Sequence, residues 1–332
     1  MSPRRRQHVL SIAAALGGAL LFIWAARRAG VSEILDGIQR VGWGLLPLFA
    51  LAGLRFAARA EAWRLCAPEG RRLSPRQAFA AFLAGDAIGN VTPFGWLASE
   101  PTKVFLTRQH LATSESISYL ALDNLLYILS TLMVIAAGGV VMLVTVPLPF
   151  AWQELGTMGL GLLLIGTIAG ARLLRGGSGL STLLPPAWRG KVKALRASVF
   201  EFSSTHPLQL SRVLAFDFTF HALAVAEAYL SLHWLLGSAS PTLREAFLFE
   251  ALNRVITVTF KFVPFRVGVD EASSGALAPL LGLNPVVGVS LAVVRKVRNL
   301  FWAGIGMGII AVHHAREGPA MDRRENASVR RT

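Results

Sequence analysis

Two glutamates that each follow a Pro-Phe pair are the residues of this chain whose type and spacing best suit chemistry. Glu100 comes seven residues after Pro93, and Glu271 comes seven residues after Pro264, which lies 171 residues beyond Pro93. Both glutamates lie in hydrophobic sequence. An ionisable side chain costs roughly 2.5–3.5 kcal/mol in a membrane, so it normally faces the protein interior or a water-filled cavity. A carboxylate in such a place can bind a cationic group or neutralise a neighbouring cation.

Basic side chains accompany both glutamates. Lys103 follows Glu100 by three residues and shares its helix face. Lys261 and Arg266 flank the second proline, and Arg295, Lys296 and Arg298 lie in the matching region after it. These cations could hold an anion in a cavity, aided by the N–H groups of helices that restart after the prolines. They could instead form structural ion pairs with the glutamates, and the sequence leaves both interpretations open.

Three further pairs of polar residues are spaced four apart and so share a helix face: Asp86 with Asn90, Glu250 with Arg254, and Asp217 with His221. The last pair suits either a proton relay or, as the favoured interpretation, a hydrogen-bonded structural pair. A structural role is also favoured for Asp86, Asp123, Glu250 and Arg254. Arg55 and Arg59 are interpreted as arginines close to the cytoplasmic headgroups.

The positions of these residues follow a repeat. The matched segments, in the same order, are 60–63 with 226–229, 76–79 with 244–247, and 93–100 with 264–271. Three anchors in one order indicate a duplicated membrane unit. Interrupted segments in corresponding positions of two halves are the best sequence indication of a transporter's binding site.

Composition supports a membrane protein. The chain is 53% hydrophobic and only 16% charged, and its mean hydropathy is +0.52. Its net charge of +14 is attributed to basic cytoplasmic loops rather than to nucleic-acid binding. The single cysteine, Cys66, excludes an internal disulfide and a cysteine-based metal site. No nucleotide-binding, metalloprotease or serine-hydrolase motif occurs, so we expect neither enzyme activity nor a cofactor.

The predicted fold is all-α and polytopic, with two inverted repeats that each contain a re-entrant helical hairpin. Residues 1–314 form one integral membrane domain, which begins with a helix at about 9–26. Pro93 and Pro264 interrupt the predicted hairpins because proline lacks an N–H group. The predicted parts are repeat 1 at about 43–144 with its hairpin at 75–108, repeat 2 at about 207–313 with its hairpin at 243–282, a basic linker at 172–206, and a basic disordered tail at 315–332.

Orientation follows from the distribution of Lys and Arg. These residues are concentrated at both termini, in 64–76 and in the linker, and they are absent from 145–153 and 237–243. The positive-inside rule therefore places both termini in the cytoplasm. The helix at 43–66 then runs inward and its counterpart at 207–236 runs outward, so the repeats are predicted to be inverted.

The stretch IGNVTPFGWLASEPTKVFL, residues 88–106, resembles the Gly-Asn-x-Thr-Pro…Gly…Glu-Pro signature of the lysylphosphatidylglycerol synthase membrane-domain family, also called flippase-like proteins. The second copy is more degenerate, with residues 266–270 in place of a glycine-rich run. The resemblance implies the transport half of that family, without the soluble aminoacyltransferase domain. The candidate substrate-binding residues are then Asn90, Thr92, Pro93, Glu100, Lys103, Pro264, Arg266, Glu271 and Arg295.

The resemblance implies movement of a phospholipid, or of a related aminoacylated or glycosylated lipid, between leaflets of the bacterial inner membrane. We also expect anionic lipid at the basic linker. The oligomeric state stays open. Two other interpretations remain: a membrane-embedded lipid-modifying enzyme that uses Glu100 and Glu271 as acid and base, and an accessory subunit of a lipid-synthesis complex.

Overall fold

The computed structural model of the chain describes residues 35, 39–92, 95–175, 190, 202, 204–237 and 239–329, with side chains described except at 96, 169–175 and 314–329. Within these ranges the protein is all helical, without a strand, as the sequence predicts. The predicted helix at 9–26 and nearly all of the linker at 172–206 lie outside the described residues.

Nine α-helices make up the described chain, joined by short loops and 3₁₀ turns. In chain order they are α1 Leu45–Leu65, α2 Pro75–Val91, α3 Trp96–Thr107, α4 Thr113–Thr145, α5 Phe150–Arg175, α6 Pro207–Leu236, α7 Leu243–Thr259, α8 Val269–Leu280 and α9 Pro285–Val329. The last helix continues through most of the segment predicted to be a disordered tail. That prediction relied on polarity, and the Ala, Arg, Glu and Met residues of this segment also favour a helix.

Within the described residues, three helical segments are long and apolar enough to cross a membrane: Gln39–Leu65, Thr113–Thr145 and Pro207–Leu236. They correspond to α1, α4 and α6. Polar side chains interrupt the apolar sequence of α1 and α6 at their centres, where Arg55 and Glu227 are both buried. Such buried charges need partners from neighbouring helices, and these partners decide how the helices pack.

The two predicted hairpins are each formed by a 17-residue helix followed by a 12-residue helix. At 1.5 Å per residue, neither helix of a pair spans the roughly 30 Å of a bilayer's hydrocarbon core. Both pairs begin with a capping box, in which Ser74 and Gln77 or Thr242 and Glu245 exchange side-chain and backbone hydrogen bonds. The re-entrant path of these helix pairs through a membrane stays a prediction.

The helix contacts have a two-fold pattern. Helix α1 packs on α2 as α6 packs on α7, and α9 packs on α2 as α4 packs on α7. Helices α1 and α6 pack on each other and are antiparallel. Gly44, just before α1, lies against Trp234 near the end of α6, and Gln209 near the start of α6 donates to the Leu65 carbonyl at the end of α1. This pattern agrees with inverted repeats, although inversion relative to a membrane stays a prediction.

Two apolar clusters lie on either side of the buried charged residues at the centres of α1 and α6, which we call the charged layer. One surrounds the second hairpin and contains Leu48 from the start of α1, Leu232 from the end of α6 and Phe249. The other surrounds the first hairpin and contains Trp63 from the end of α1 and Phe82. The charged centres of α1 and α6 lie between these clusters, where side chains from both hairpins can reach them.

Candidate functional site

A cavity of about 240 Å³ lies in the charged layer between the two hairpins. Seven helices contribute to its walls, namely α1, α2, α3, α4, α6, α7 and α9. Aromatic rings form part of the surface, among them Phe82, Tyr127 and Phe220. The charged residues that line it are Arg55, Arg59, Asp86, Glu100, Lys103, Arg254, Lys261, Arg266 and Arg298. Cations therefore outnumber carboxylates among the lining residues.

The structure brings only part of the predicted substrate-binding set to this cavity. The residues that line it are Asn90, Glu100, Lys103 and Arg266. Thr92 and Pro264 are not among the lining residues; the Thr92 hydroxyl donates to the Ile88 carbonyl, and Pro264 begins a 3₁₀ turn. Glu271 and Arg295 are not among them either. Pro93 lies outside the described residues.

In the first hairpin, Glu100 and Lys103 form an ion pair at the cavity wall. The Lys103 ammonium lies 2.9 Å from Oε1 of Glu100 and 4.4 Å from the centre of the Phe82 ring. The Glu100 side chain is 31% exposed, whereas that of Lys103 is 6% exposed. Oε2 of Glu100 has no hydrogen-bond partner within the described chain. That oxygen is itself buried, although the side chain as a whole is the more exposed member of the pair.

Asp86 is the second carboxylate at the cavity. Its Oδ2 accepts a hydrogen bond from the Asn90 amide at 2.8 Å, and the same amide donates to the Asp86 carbonyl. Among the described residues, Asp86 has no salt bridge with a basic side chain. The predicted pairing of Asp86 with Asn90 on one helix face is thus observed, and both residues face the cavity.

Two buried glutamates are each shared by two arginines. Glu227 binds Arg55 at 2.6 Å and also accepts a hydrogen bond from Arg298. Glu250 binds Arg254 and, at 3.2 Å, Arg295. We call these the Glu227 triad (Arg55, Glu227, Arg298) and the Glu250 triad (Arg254, Glu250, Arg295). Each triad carries one positive charge in excess. Of the four arginines in the two triads, three line the cavity.

Unusual backbone at the second hairpin also directs side chains to the cavity. Phe265 and Arg266 have φ angles of 48° and 49°, in the left-handed region that costs a non-glycine residue about 1–3 kcal/mol. Both line the cavity, and the Arg266 guanidinium lies 3.2 Å from Asp270. Lys261 lines it as well and forms no ion pair within the described chain. The strained turn therefore supports a wall that contains cationic side chains.

Comparison with known families agrees with this picture. Residues 9–306 match the family described as the lysylphosphatidylglycerol synthase TM region. The chain belongs to that family. No curated protein and no solved structure matches it. Membership makes this a membrane protein linked to lipid biology, in agreement with its long apolar helices.

Several arginines that line the cavity lie outside the repeated Pro-Phe…Glu motifs. Arg55 and Arg59 are buried at the cavity and paired with carboxylates of other helices, rather than near headgroups as the sequence analysis supposed. Their spacing of four residues within an apolar helix is the signal that could have identified them. Arg298, which the sequence groups with Arg295 and Lys296 after the second hairpin, lines the cavity, whereas Arg295 does not.

The structure separates the proposed Asp217–His221 pair. Asp217 binds Arg59 at 2.5 Å, and Nε2 of His221 lies 3.2 Å from the Ser130 hydroxyl. Asp123 binds the same arginine through both of its oxygens. The structural roles favoured for Asp123 and for Glu250 agree with their positions in buried ion networks, because each is bound by arginine and inaccessible to solvent.

Proposed function

We propose that this protein moves a phospholipid or a related polar lipid between membrane leaflets, and that the headgroup passes through the cavity between the hairpins. The observation that carries the proposal is the excess of buried positive charge at the cavity wall. The Glu227 and Glu250 triads each contain two buried arginines for one carboxylate, and the exposed Lys261 lines the same cavity.

Buried charge of one sign is unfavourable unless it is balanced. Moving an ion out of water costs several kcal/mol, and an unbalanced arginine in a low-dielectric interior keeps most of that cost. A lipid phosphate would supply the missing negative charge. Arginine suits this role because its planar guanidinium donates two parallel hydrogen bonds to phosphate oxygens.

The size of the cavity favours a headgroup over a whole lipid. Its volume of about 240 Å³ is below the roughly 300–1,000 Å³ of sites for drug-sized ligands. A phosphate with a small polar substituent would therefore occupy the cavity, while the acyl chains would stay in the surrounding bilayer.

Distinct residues would bind the two ends of the headgroup. Arg55, Arg254 and Arg298 would hold the phosphate. Glu100 and Asp86 would accept hydrogen bonds from hydroxyl or ammonium groups of the substituent, since both line the cavity and the Glu100 side chain is 31% exposed. Lys103 stays close to both carboxylates and would neutralise Glu100 when the cavity is empty. This division of roles requires no enzyme chemistry and no cofactor.

The test is a proteoliposome assay with one matched pair of variants. Purified protein is reconstituted with a headgroup-labelled phosphatidylglycerol, and a membrane-impermeant quencher reports which leaflet holds the label. Arg298→Met leaves Glu227 paired one-to-one with Arg55, and Arg295→Met leaves Glu250 paired one-to-one with Arg254. Both arginines are buried to a similar degree, at 9% and 8% exposure, but only Arg298 lines the cavity.

We expect Arg298→Met to slow translocation at least about tenfold, equivalent to roughly 1.4 kcal/mol. Arg295→Met should slow it less than about threefold. Equal losses in both variants would show that the charge excess acts through overall structure and not at the cavity. A protein that leaves the label in place but changes the lipid chemically, as mass spectrometry would detect, would be the lipid-modifying enzyme. No movement and no chemical change with any lipid would favour the accessory subunit.

A further inference from the structure

A third buried cluster, formed by Arg59, Asp123 and Asp217, has the opposite charge imbalance. Arg59 donates from Nη1 to Oδ1 of Asp123 at 2.9 Å and from Nη2 to Oδ2 at 2.7 Å. Its Nη1 also lies 2.5 Å from Oδ1 of Asp217. Both aspartate side chains are 0% exposed. The cluster therefore contains two carboxylates and one guanidinium.

One oxygen of this cluster has no partner. Oδ2 of Asp217 is buried and accepts no hydrogen bond within the described chain. A carboxylate that is out of water and lacks a donor on one oxygen is unfavourable as an anion. Two carboxylates that share one site cannot both ionise at low cost, so such a pair keeps a proton and titrates as a unit.

Other charged and titratable groups near the two aspartates do not supply the missing positive charge. His221 is hydrogen-bonded to Ser130 and stacked on Tyr127, with ring centres 5.8 Å apart. The groups that face the two aspartates or Arg59 are Cys66 at the end of α1, Glu100 and Lys103 of α3, Tyr127 of α4 and His221 of α6, while Arg55, Glu250 and Arg254 face His221. Among these, Lys103 pairs with Glu100, and Arg55 and Arg254 belong to the triads.

Arg59 connects this cluster to the cavity. It lines the cavity wall, and its guanidinium lies 4.2 Å from the centre of the Tyr127 ring. The Tyr127 hydroxyl in turn accepts a hydrogen bond from Arg254 of the Glu250 triad at 3.2 Å. An anion in the cavity would therefore attract the same guanidinium that holds Asp123 and Asp217.

We propose that the Asp123–Arg59–Asp217 cluster is a proton-binding site coupled to the cavity. At rest one proton is shared by the two carboxyls, which leaves the cluster neutral. When an anionic headgroup attracts Arg59, the ionised carboxyl loses its partner and takes one proton from water. That proton returns to water when the headgroup leaves and Arg59 pairs with the carboxyl again. The coupling of proton uptake to headgroup binding rests on the proposed function. The presence of a shared proton in the protein without ligand, here called the resting proton, does not.

Infrared difference spectroscopy of the purified protein tests the resting proton without any transport. We expect a carboxylic-acid C=O band at neutral pH in the wild type. Asp217→Asn and Asp123→Asn should each remove it, because the remaining aspartate then pairs one-to-one with Arg59. Glu61→Gln is the control and should leave the band in place, because Glu61 pairs with Arg64 and not with the cluster. Absence of the band from the wild type, or its persistence in both Asp variants, would overturn the resting proton. The wild-type spectrum decides this point even if neither variant folds.

Binding of a short-chain phosphatidylglycerol, measured by calorimetry across a pH series, tests the coupling. Uptake of one proton makes the affinity fall with rising pH, by up to about tenfold per unit. The double variant Asp123→Asn/Asp217→Asn should bind with no such dependence. If it is unstable, the variant that adds Arg59→Met removes the unpaired charge and should also be pH-independent. A pH-independent wild type, or an unchanged dependence in these variants, would overturn the coupling. If the lipid binds at no pH, the proposed function fails and takes the coupling with it, while the infrared band still decides the resting proton.

Discussion

The two hairpins have helices of equal length and equivalent starts, yet their repeated glutamates lie in different environments. Glu100 is 31% exposed at the cavity and has one oxygen without a partner in the described chain. Glu271 is fully buried. One of its oxygens binds Lys296 at 2.5 Å, and the other accepts the Gly268 N–H at 2.7 Å. Equivalent sequence positions thus hold a residue available for binding and a residue whose bonds are already made.

The connection between the two helices of each pair explains the difference. Helices α2 and α3 are separated by residues 92–95, whereas α7 and α8 are separated by 260–268. In the second hairpin α8 begins only two residues before Glu271, so this glutamate reaches back to the backbone at the helix start. In the first hairpin α3 begins four residues before Glu100, which places that side chain two residues, or about half a turn, further along its helix. A pair of repeated motifs can therefore diverge into one structural and one cavity-facing residue.

The largest expected effect is the loss of stability in Glu271→Gln. Removing this charge leaves Lys296 unpaired in a buried site, which costs about 3–5 kcal/mol. Thermal unfolding in detergent measures it. Glu245→Gln is the matched control, because Glu245 makes the same backbone contact at the start of α7 without a salt bridge in the described chain. If the two variants were equally stable and only Glu271→Gln lost transport, Glu271 would have a role in transport and not a structural one.

The double variant Glu271→Gln/Lys296→Met sharpens this result. It removes the unpaired cation, so most of the lost stability should return. A double variant as unstable as Glu271→Gln alone would mean that the carboxylate acts mainly through the Gly268 N–H.

Much of the fold was predictable because hydrophobic length and breaker residues act locally. The bounds of α6 agree with the prediction of 207–236, and both hairpins begin within one residue of their predicted starts. The cavity was only partly predictable. Asn90, Glu100, Lys103 and Arg266 carry local signals, whereas Arg298 and Arg295 look alike in sequence and differ only in whether they line the cavity. That distinction depends on how α9 packs, which no local pattern contains.

Close glycine contacts should have the next largest effects. A Cβ atom on Gly95 would lie 1.6 Å from the Gly89 carbonyl oxygen, within the first hairpin, and one on Gly288 would lie 2.1 Å from the Ser274 carbonyl oxygen, between α8 and α9. Backbone must move in both cases, so Gly95→Ala and Gly288→Ala should each cost at least about 1–3 kcal/mol of stability.

Gly304→Ala is the control for these substitutions, because nothing lies within 4 Å of its added Cβ atom. It should be neutral or stabilising by up to about 1 kcal/mol, the gain in helix propensity. If Gly95→Ala is as stable as Gly304→Ala, the close contact between Gly95 and Gly89 does not hold the helices of the first hairpin together. The first hairpin would then differ from the second, in which Gly288 packs on Ser274.

Glu100→Gln tests the functional side of the comparison. Loss of its charge should slow lipid translocation at least about tenfold, equivalent to roughly 1.4 kcal/mol. Stability should fall less than in Glu271→Gln, because the Glu100 side chain is 31% exposed and Asp86 stays close to the Lys103 ammonium. Glu61→Gln is matched to it: Glu61 forms an i,i+3 pair with Arg64, is 23% exposed and does not line the cavity. If Glu100→Gln transported lipid at the full rate, or if Glu61→Gln lost as much transport as Glu100→Gln, Glu100 would have no specific role in translocation.

The smallest effects are expected where the hairpins are alike, at their helix starts. Ser74→Ala and Thr242→Ala each remove a side chain that accepts the N–H of the third helical residue, at 3.3 Å and 3.2 Å. Loss of such a cap typically costs about 1 kcal/mol. In both boxes the reciprocal bond, from the backbone N–H of the cap residue to the side chain of Gln77 or Glu245, is also present, so we expect the two thermal shifts to agree within about 0.5 kcal/mol. Ser74→Thr and Thr242→Ser keep the accepting oxygen and should restore stability. If only one of the two variants lost stability, the two caps would contribute unequally to stability despite their similar geometry. The two repeats would then already differ at the starts of their hairpins and not only at their glutamates.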